Sequence, residues 1–259
     1  WEWVAARTTV AKAVHSLRTD VRRSQGLYQL GLEQCTALGD ELGAARALNG
    51  LAQTHLTAGR FDEARDHAQR AADLYRKVGR LGGVADALRS LADVARSTGD
   101  LEEAARCYQA SLELPGLEAN IAGRATSLTG LGEVRRMSGD LDGAERWYAK
   151  AEELRNMLDA DASAIRYNRA LIHLQRGRYD EARELLEDLR VRWAAHTHNI
   201  VTIAVLLGLL PCHAVGGDWE AWDADLDQVD RSLRATGIVD PDLVTVAELA
   251  GALAEARGM

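Results

Sequence analysis

The chain has 259 residues, of which 47% are hydrophobic and 5% aromatic, and its formal net charge is −8. That is ample apolar material for a packed core. The acidic surplus excludes a sequence-independent nucleic-acid binder, which needs Lys and Arg facing phosphates.

Ala, Leu, Glu and Arg are good helix formers, and only three prolines interrupt the chain. Val and Ile never gather into alternating runs, so the pattern predicts helices and no strands. The chain opens "WEWVAARTTV", already in helical rhythm and without an initiating methionine, which points to a piece of a longer polypeptide. Cys35, Cys107 and Cys212 are dispersed and odd in number. They match no zinc spacing and no disulfide framework, and predict buried thiols in a reducing, cytoplasmic compartment. The longest apolar run, "IVTIAVLLGLL" from Ile200 to Leu210, falls short of the roughly 18 residues a membrane span needs, and predicts a buried helix with no membrane association.

A short phrase recurs along the chain: "TAGRFDEA", "STGDLEEA", "MSGDLDGA", "QRGRYDEA" and "VGGDWEAW". Its glycines are Gly59, Gly99, Gly139, Gly177 and Gly217, separated by 40, 40, 38 and 40 residues. Self-similarity at that period marks a stacked repeat. One step before Gly59 falls on Thr19, and the following segment matches the later units at Asp20, Val21, Tyr28 and Gln29. The predicted organisation is a single repeat domain over 1–259. It has a degenerate first unit (1–38), clear units at 41–78, 81–116, 119–157 and 161–194, a degenerate unit at 197–236 and a capping helix at 240–257.

Each unit divides into two helices. In the first clear one, Ala45, Leu48, Leu51, Ala52, His55 and Leu56 form one stripe of the first helix. Gly59 stops it, because glycine leaves the helical region without steric cost. The second helix restarts with Asp62 and Glu63 in its first turn, where the dipole favours anions, and carries Ala64, Ala68 and Ala71 inward. At the end of the chain, Asp240 is the expected cap and Pro241 the first residue of the last helix, with Leu243, Val246, Leu249, Ala250 and Leu253 as its buried stripe.

These residues resemble the tetratricopeptide repeat. The carriers are Leu51, Ala52, Gly59, Phe61, Ala64 and Ala71; then Leu91, Ala92, Gly99, Ala104 and Tyr108; then Leu131, Gly132, Gly139, Ala144, Tyr148 and Ala151; and finally Ala170, Gly177, Tyr179 and Ala182. The resemblance implies an all-α, right-handed α-solenoid of about six antiparallel helix pairs plus a C-terminal helix. The period near forty instead of thirty-four implies longer helices, as in the variant found in kinesin light chains and in bacterial signalling ATPases, kinases and transcription activators. The last unit departs from the pattern, with Trp222 at an alanine position and Pro211 inside a helix. The segment from Leu209 to Leu243 resembles the end of repeat tails on large bacterial serine/threonine kinases. A HEAT-type repeat is the competing fold; it does not require the Gly-acidic turn with alanine five positions on.

No motif for chemistry stands out. There is no phosphate loop, kinase signature or His-Glu-x-x-His motif, and no catalytic, cofactor-binding or metal-binding residue is assigned. Gly130 and Gly132 fall inside an expected helix, so they are no nucleotide loop. His196 and His198 read as a turn without further metal ligands. His15, His55, His173 and His213 occupy equivalent repeat positions. They read as replacements for a packed aromatic, with a pH-sensing ladder as the alternative.

The resemblance places the first helix of each pair on the concave face. Its surface-facing positions are Arg46, Asn49 and Gln53; Asp86, Arg89, Asp93 and Arg96; Thr126, Thr129, Glu133 and Arg136; and Tyr167 and Asn168. Arginine and asparagine hold peptide backbone or carboxylate by paired hydrogen bonds. The expected partner is a peptide, a partner domain or the host's own catalytic domain, with no direct nucleic-acid contact. The competing reading is a ligand- or signal-peptide-sensing regulatory domain, which calls for an aromatic-lined pocket; only Tyr167 supplies an aromatic among these positions. Arg169 stands where the repeat expects a buried leucine: either the helix opens there or the stem packs and the guanidinium reaches outward.

Overall fold

The computed structural model describes residues 1–16, 20–158, 160–193, 200–236 and 241–258. Thr19, His196, His198 and Asp240 lie outside the described residues. Among those described there are thirteen helices and no strand: α1 (Glu2–Ser16), α2 (Val21–Ala37), α3 (Glu41–Thr57), α4 (Phe61–Lys77), α5 (Leu81–Ser97), α6 (Leu101–Glu113), α7 (Ile121–Met137), α8 (Leu141–Asn156), α9 (Ser163–Gln175), α10 (Tyr179–Trp193), α11 (Ile200–Gly216), α12 (Trp219–Thr236) and α13 (Pro241–Ala256). This is an all-α solenoid of helix pairs with a final single helix.

The repeated phrase does two jobs. Gly59, Gly99, Gly139, Gly177 and Gly217 all take positive φ, between 71° and 84°. The next N–H then reaches back to the last turn of the helix just ended. Asp100 donates to the Ala95 carbonyl at 2.9 Å, Asp140 to Arg135 at 2.9 Å, and Asp218 to His213 at 3.0 Å. That is the Schellman closure, which satisfies carbonyls the helix end leaves open. The same aspartates start the following helix: their carboxylates accept from the N–H of Glu103 at 3.0 Å, Gly143 at 2.8 Å and Ala221 at 3.2 Å. Arg60 makes the closing bond, to His55 at 2.9 Å, but caps nothing with its side chain.

Gly39 and Gly79 also take positive φ, so this stop recurs every twenty residues from Gly39 to Gly99. Helices α2 to α5 are each 17 residues long. A three-residue stop after each makes the forty-residue period, which is how the repeat exceeds thirty-four.

The described residues group into two compact units, Trp1–Asp159 and Ala160–Met259. In the first, each helix packs on the next, and the first helices also touch one another: α1 on α3, α3 on α5, α5 on α7. The second helices make no comparable contact among themselves. The first helices therefore form the inner layer. Ala64, Ala68, Ala71, Ala92, Ala104, Ala144 and Ala151 are fully buried, and their small size lets the layers close up.

In the second unit α11 is central, packed by α9, α10, α12 and α13. Its run Ile203–Leu207, with Leu209 and Leu210, is buried, as expected for a core helix. No helix among the described residues is long and apolar enough to cross a membrane. Pro211 sits inside α11 without ending it, and Arg183 Nη2 donates to the neighbouring Cys212 carbonyl at 2.5 Å. Arg169 is half-buried and α9 runs through it unbroken, so the helix does not open there.

Candidate functional site

The inner layer of the first unit encloses a cavity of about 580 Å³, within the roughly 300–1,000 Å³ of ligand clefts. Seven positions named from sequence line it: Arg46, Asn49 and Gln53 on α3, Asp86, Arg89 and Asp93 on α5, and Thr126 on α7. Burial of the opposite faces of α3 and α5 against α2, α4 and α6 aims these side chains inward to the cavity. Ser90 is a further lining residue; its hydroxyl donates to Asn49 Oδ1 at 3.0 Å, tying α3 to α5 and leaving the Asn49 amide N–H groups to donate.

The remaining positions behave differently. Arg96 pairs with Glu133 at 3.3 Å between α5 and α7, outside the cavity. Thr129 and Arg136 are buried, at 7% and 3% exposure, and Thr129 donates to the Ala125 carbonyl of its own helix at 2.9 Å. Asn168 is buried as well. These three are not surface-facing, and the reason is geometric. α7 packs against α5, α6 and α8, and α9 against α10 and α11, and these side chains lie in the covered parts of their helices. Tyr167 is half-buried against the core of the second unit.

Two aromatic residues escaped the sequence reading. Tyr28 on α2 and Tyr75 on α4 line the cavity, which corrects the expectation of one aromatic. Both come from second helices and reach the inner face because a glycine receives each ring. A Cβ at Gly50 would lie 2.2 Å from the Tyr28 ring, and one at Gly83 2.3 Å from Tyr75. The signal was present: an aromatic in a second helix opposite a glycine in the next. Burial and nearby Asp86 push the Tyr75 hydroxyl up to about 12. α1 adds Arg7, Val10, Ala11 and Val14 at the rim.

Charge in the cavity is mostly committed. Arg7 holds Asp40 through two bonds, 2.7 and 2.8 Å, and this bonding keeps the Asp40 carboxyl below the usual range despite its burial. Arg89 pairs with Asp86. Asp93 accepts from the Tyr108 hydroxyl, and burial raises its carboxyl above the ordinary value. Arg46 is exposed and makes no hydrogen bond or ion pair among the described residues, and the same holds for the Gln53 side chain. The groove therefore offers one uncommitted guanidinium and two amides between two tyrosines.

The four equivalent histidines do not stack on one another. His15 is exposed, His55 tilts against His67 with centroids 5.0 Å apart, and His213 bonds Asp225 at 3.0 Å. Cys35, Cys107 and Cys212 are buried free thiols. No group of three or more metal-ligating side chains occurs among the described residues.

No curated protein sequence matches the chain. Solved structures resemble it in fold. BtubC (BKLC) from P. vanneervenii gives a TM-score of 0.60 at 18% identity, over 86% of this chain and 94% of that one. Aspartyl phosphate phosphatase F from Bacillus subtilis gives 0.66 at 12%, over 97% and 70%. PilF of Pseudomonas aeruginosa gives 0.54 at 16%, over 88% and 91%. Family models described as tetratricopeptide repeat match residues 12–77, 44–115 and 83–157, and again 163–188. Those matches span more than half of the sequence, and the chain belongs to the tetratricopeptide repeat family.

Proposed function

We propose that the protein is an interaction scaffold whose inner groove, between α1 and α7, binds an extended peptide segment of a partner. The observation that carries this is the concentration of uncommitted donors, Arg46, Asn49 and Gln53, along one face of α3 above a cavity floored by Tyr28 and Tyr75. Unused donor groups gathered in a concavity, the Asn49 amide N–H groups among them although its Oδ1 accepts from Ser90, fit recognition better than packing. The guanidinium suits a carboxylate, and the amides suit peptide backbone. The second reading, a sensor of a signal peptide or small molecule, draws support from the same tyrosines, because they give the cavity the aromatic walls it requires.

The test is binding to an immobilised array of short peptides. The parent is compared with Arg46→Ala/Asn49→Ala/Gln53→Ala and with an outer-layer control, Arg65→Ala/Arg106→Ala. The groove variant should lose the bound peptides with its melting temperature unchanged. Loss in the control alone would move the site to the second helices. A free amino acid or other small metabolite that protects the groove and displaces every peptide would favour the sensor.

A further inference from the structure

The second unit has a cavity of its own, about 220 Å³, below the roughly 300–1,000 Å³ of clefts for drug-sized ligands. It lies among α10, α11 and α12, and both α10 and α12 pack on α11. Its apolar wall is Leu189 and Trp193 from α10 with Val205 and Leu206 from α11. Leu189, Val205 and Leu206 belong to the buried core, so the wall is held by packing, and Trp193 stays half-buried beside them. The polar edge is Arg190, next to Leu189, with Asp225 and Gln228 one turn apart on α12.

Packing does not use up this polar edge. Asp225 is buried, at 7% exposure. Its Oδ2 lies 3.0 Å from His213 Nε2 and 3.8 Å from Arg190 Nη1. The first is a hydrogen bond and the second is too long to be one. Asp225 Oδ1 accepts no hydrogen bond among the described residues. Arg190 turns its Nε to Glu187 of its own helix at 2.8 Å, which leaves its terminal nitrogens to donate. The Gln228 amide makes no hydrogen bond among the described residues. A carboxylate and a guanidinium, both with unused bonding capacity, thus stand close together at the edge of a small apolar pocket.

We infer that this pocket binds a free α-amino acid with an apolar side chain. An α-amino acid carries its ammonium and its carboxylate on one carbon, so it meets Asp225 and Arg190 at once. The ammonium donates to Asp225 Oδ1. The carboxylate accepts from Arg190 and from the Gln228 amide. The side chain enters among Leu189, Trp193, Val205 and Leu206. A polar side chain there would lose its water without gaining a partner. A simple amine would leave Arg190 unmatched, and a simple acid would leave Asp225 unmatched. The site goes beyond the groove reading and shares no residue with the groove.

The probes are L-leucine, L-methionine and L-phenylalanine, with L-serine and the single-charge analogues of leucine, 3-methylbutylamine and 4-methylpentanoate. Binding to the whole chain is followed by calorimetry and by the side-chain amide resonances of Gln228. At least one of the three apolar amino acids should bind about tenfold or more tighter than serine, and leucine should exceed both of its analogues by a similar factor. Arg190 is half-exposed, so Arg190→Gln spares the fold; it should weaken leucine about tenfold and leave the amine unchanged. Asp225→Asn should weaken leucine and leave the acid unchanged. Should that variant fail to fold, the amine and acid on the parent protein decide the same point. No binding by any of the three amino acids, or an amine or acid that binds as tightly as leucine, would overturn the inference. So would an affinity that survives Arg190→Gln, or one lost in Arg46→Ala/Asn49→Ala/Gln53→Ala, which would place the ligand in the groove.

Discussion

The two compact units solve the same packing problem with different residues. In Trp1–Asp159 many of the described buried apolar residues form small clusters, mainly of alanines, valines and leucines, each around a tyrosine: Tyr28, Tyr75 or Tyr108. In Ala160–Met259 one cluster dominates, built on Leu171, Leu186, Leu189, Ile203, Leu209 and Leu210 about α11. Alanine on glycine-notched helices lets backbones approach and leaves wide inner faces clear. Leucine fills the space between helices instead, and the cavity that Leu189, Trp193 and Leu206 line in the second unit is about 220 Å³. The contrast shows that the groove is a by-product of small-residue packing punctuated by aromatic rungs.

The largest effect that would break this comparison is at a rung. Tyr108 is fully buried and its hydroxyl donates to Asp93. Tyr108→Ala should cost about 3–5 kcal/mol by chemical denaturation, the usual cost for truncating a buried aromatic. A loss under about 1.5 kcal/mol would mean that alanine contacts alone hold α5, α6 and α7 together.

The receiving glycines give a sharper contrast. Gly130→Ala would push a Cβ to 2.3 Å from the Tyr108 ring, which its bond to Asp93 holds in place. Overpacking of this kind costs about 1–3 kcal/mol. Gly208→Ala meets only the methyl groups of Leu186 at 3.1 Å, the movable end of a flexible side chain. Helix propensity favours alanine there by about 0.5–1 kcal/mol, so the net change should be near zero or stabilising. Equal losses at the two sites would erase the distinction between rung and leucine packing.

Both units also bury an aspartate, Asp40 and Asp225. Asp40 relies on Arg7, so Arg7→Ala should cost about 1–3 kcal/mol at neutral pH, the typical worth of hydrogen bonds to a charged group. His213→Ala should cost less, because Arg190 still lies 3.8 Å from Asp225. The Asp40 contribution has a definite pH sign. Its carboxyl is held below the ordinary value, so the stability is fully present above about pH 3.9 and is lost as pH falls through the lower, folded value. Parent and Arg7→Ala should therefore converge in strong acid.

Much of this was legible in the sequence because glycine and aspartate act locally. A glycine at positive φ and a capping carboxylate need no tertiary context, so period, helix count and pairing followed from the phrase. The α11 core helix was legible from Ile200–Leu210 for a similar reason, its apolar length. The inner face was harder. Arg46, Asn49 and Gln53 were found by helical spacing alone, since α3 is regular throughout. Thr129, Arg136 and Asn168 have the same spacing but are buried, and spacing within one helix does not report a neighbour's reach. Tyr28 and Tyr75 were missed because a second helix was taken to have no route to the groove. The glycines that open that route, Gly50 and Gly83, lie on the receiving helices.

The smallest expected effect is at the one place in the first unit where imidazoles replace small apolar packing. His55 on α3 and His67 on α4 face each other; His55 Nδ1 is buried without a hydrogen-bond partner among the described residues, and His67 Nδ1 lies 3.4 Å from the Asp66 carboxylate. Burial lowers the affinity of both rings for a proton, aided at His55 by Arg60 and at His67 by Arg70, and opposed by Glu63 and, at His67, by Asp66. Each ring is therefore harder to protonate in the fold than in the unfolded chain. Stability is full above the unfolded value near pH 6.5 and falls as pH drops from there through the lower folded values. The two rings together should cost about 1 kcal/mol or less between roughly pH 7.5 and 5.5. His67→Phe leaves one titrating ring and supplies an apolar face for the other, so its unfolding free energy should be flatter over that range than the parent's. A slope unchanged in His67→Phe would place the acid sensitivity elsewhere. A slope of opposite sign would show that Glu63 and Asp66 outweigh burial, with the pair stabilised by protonation.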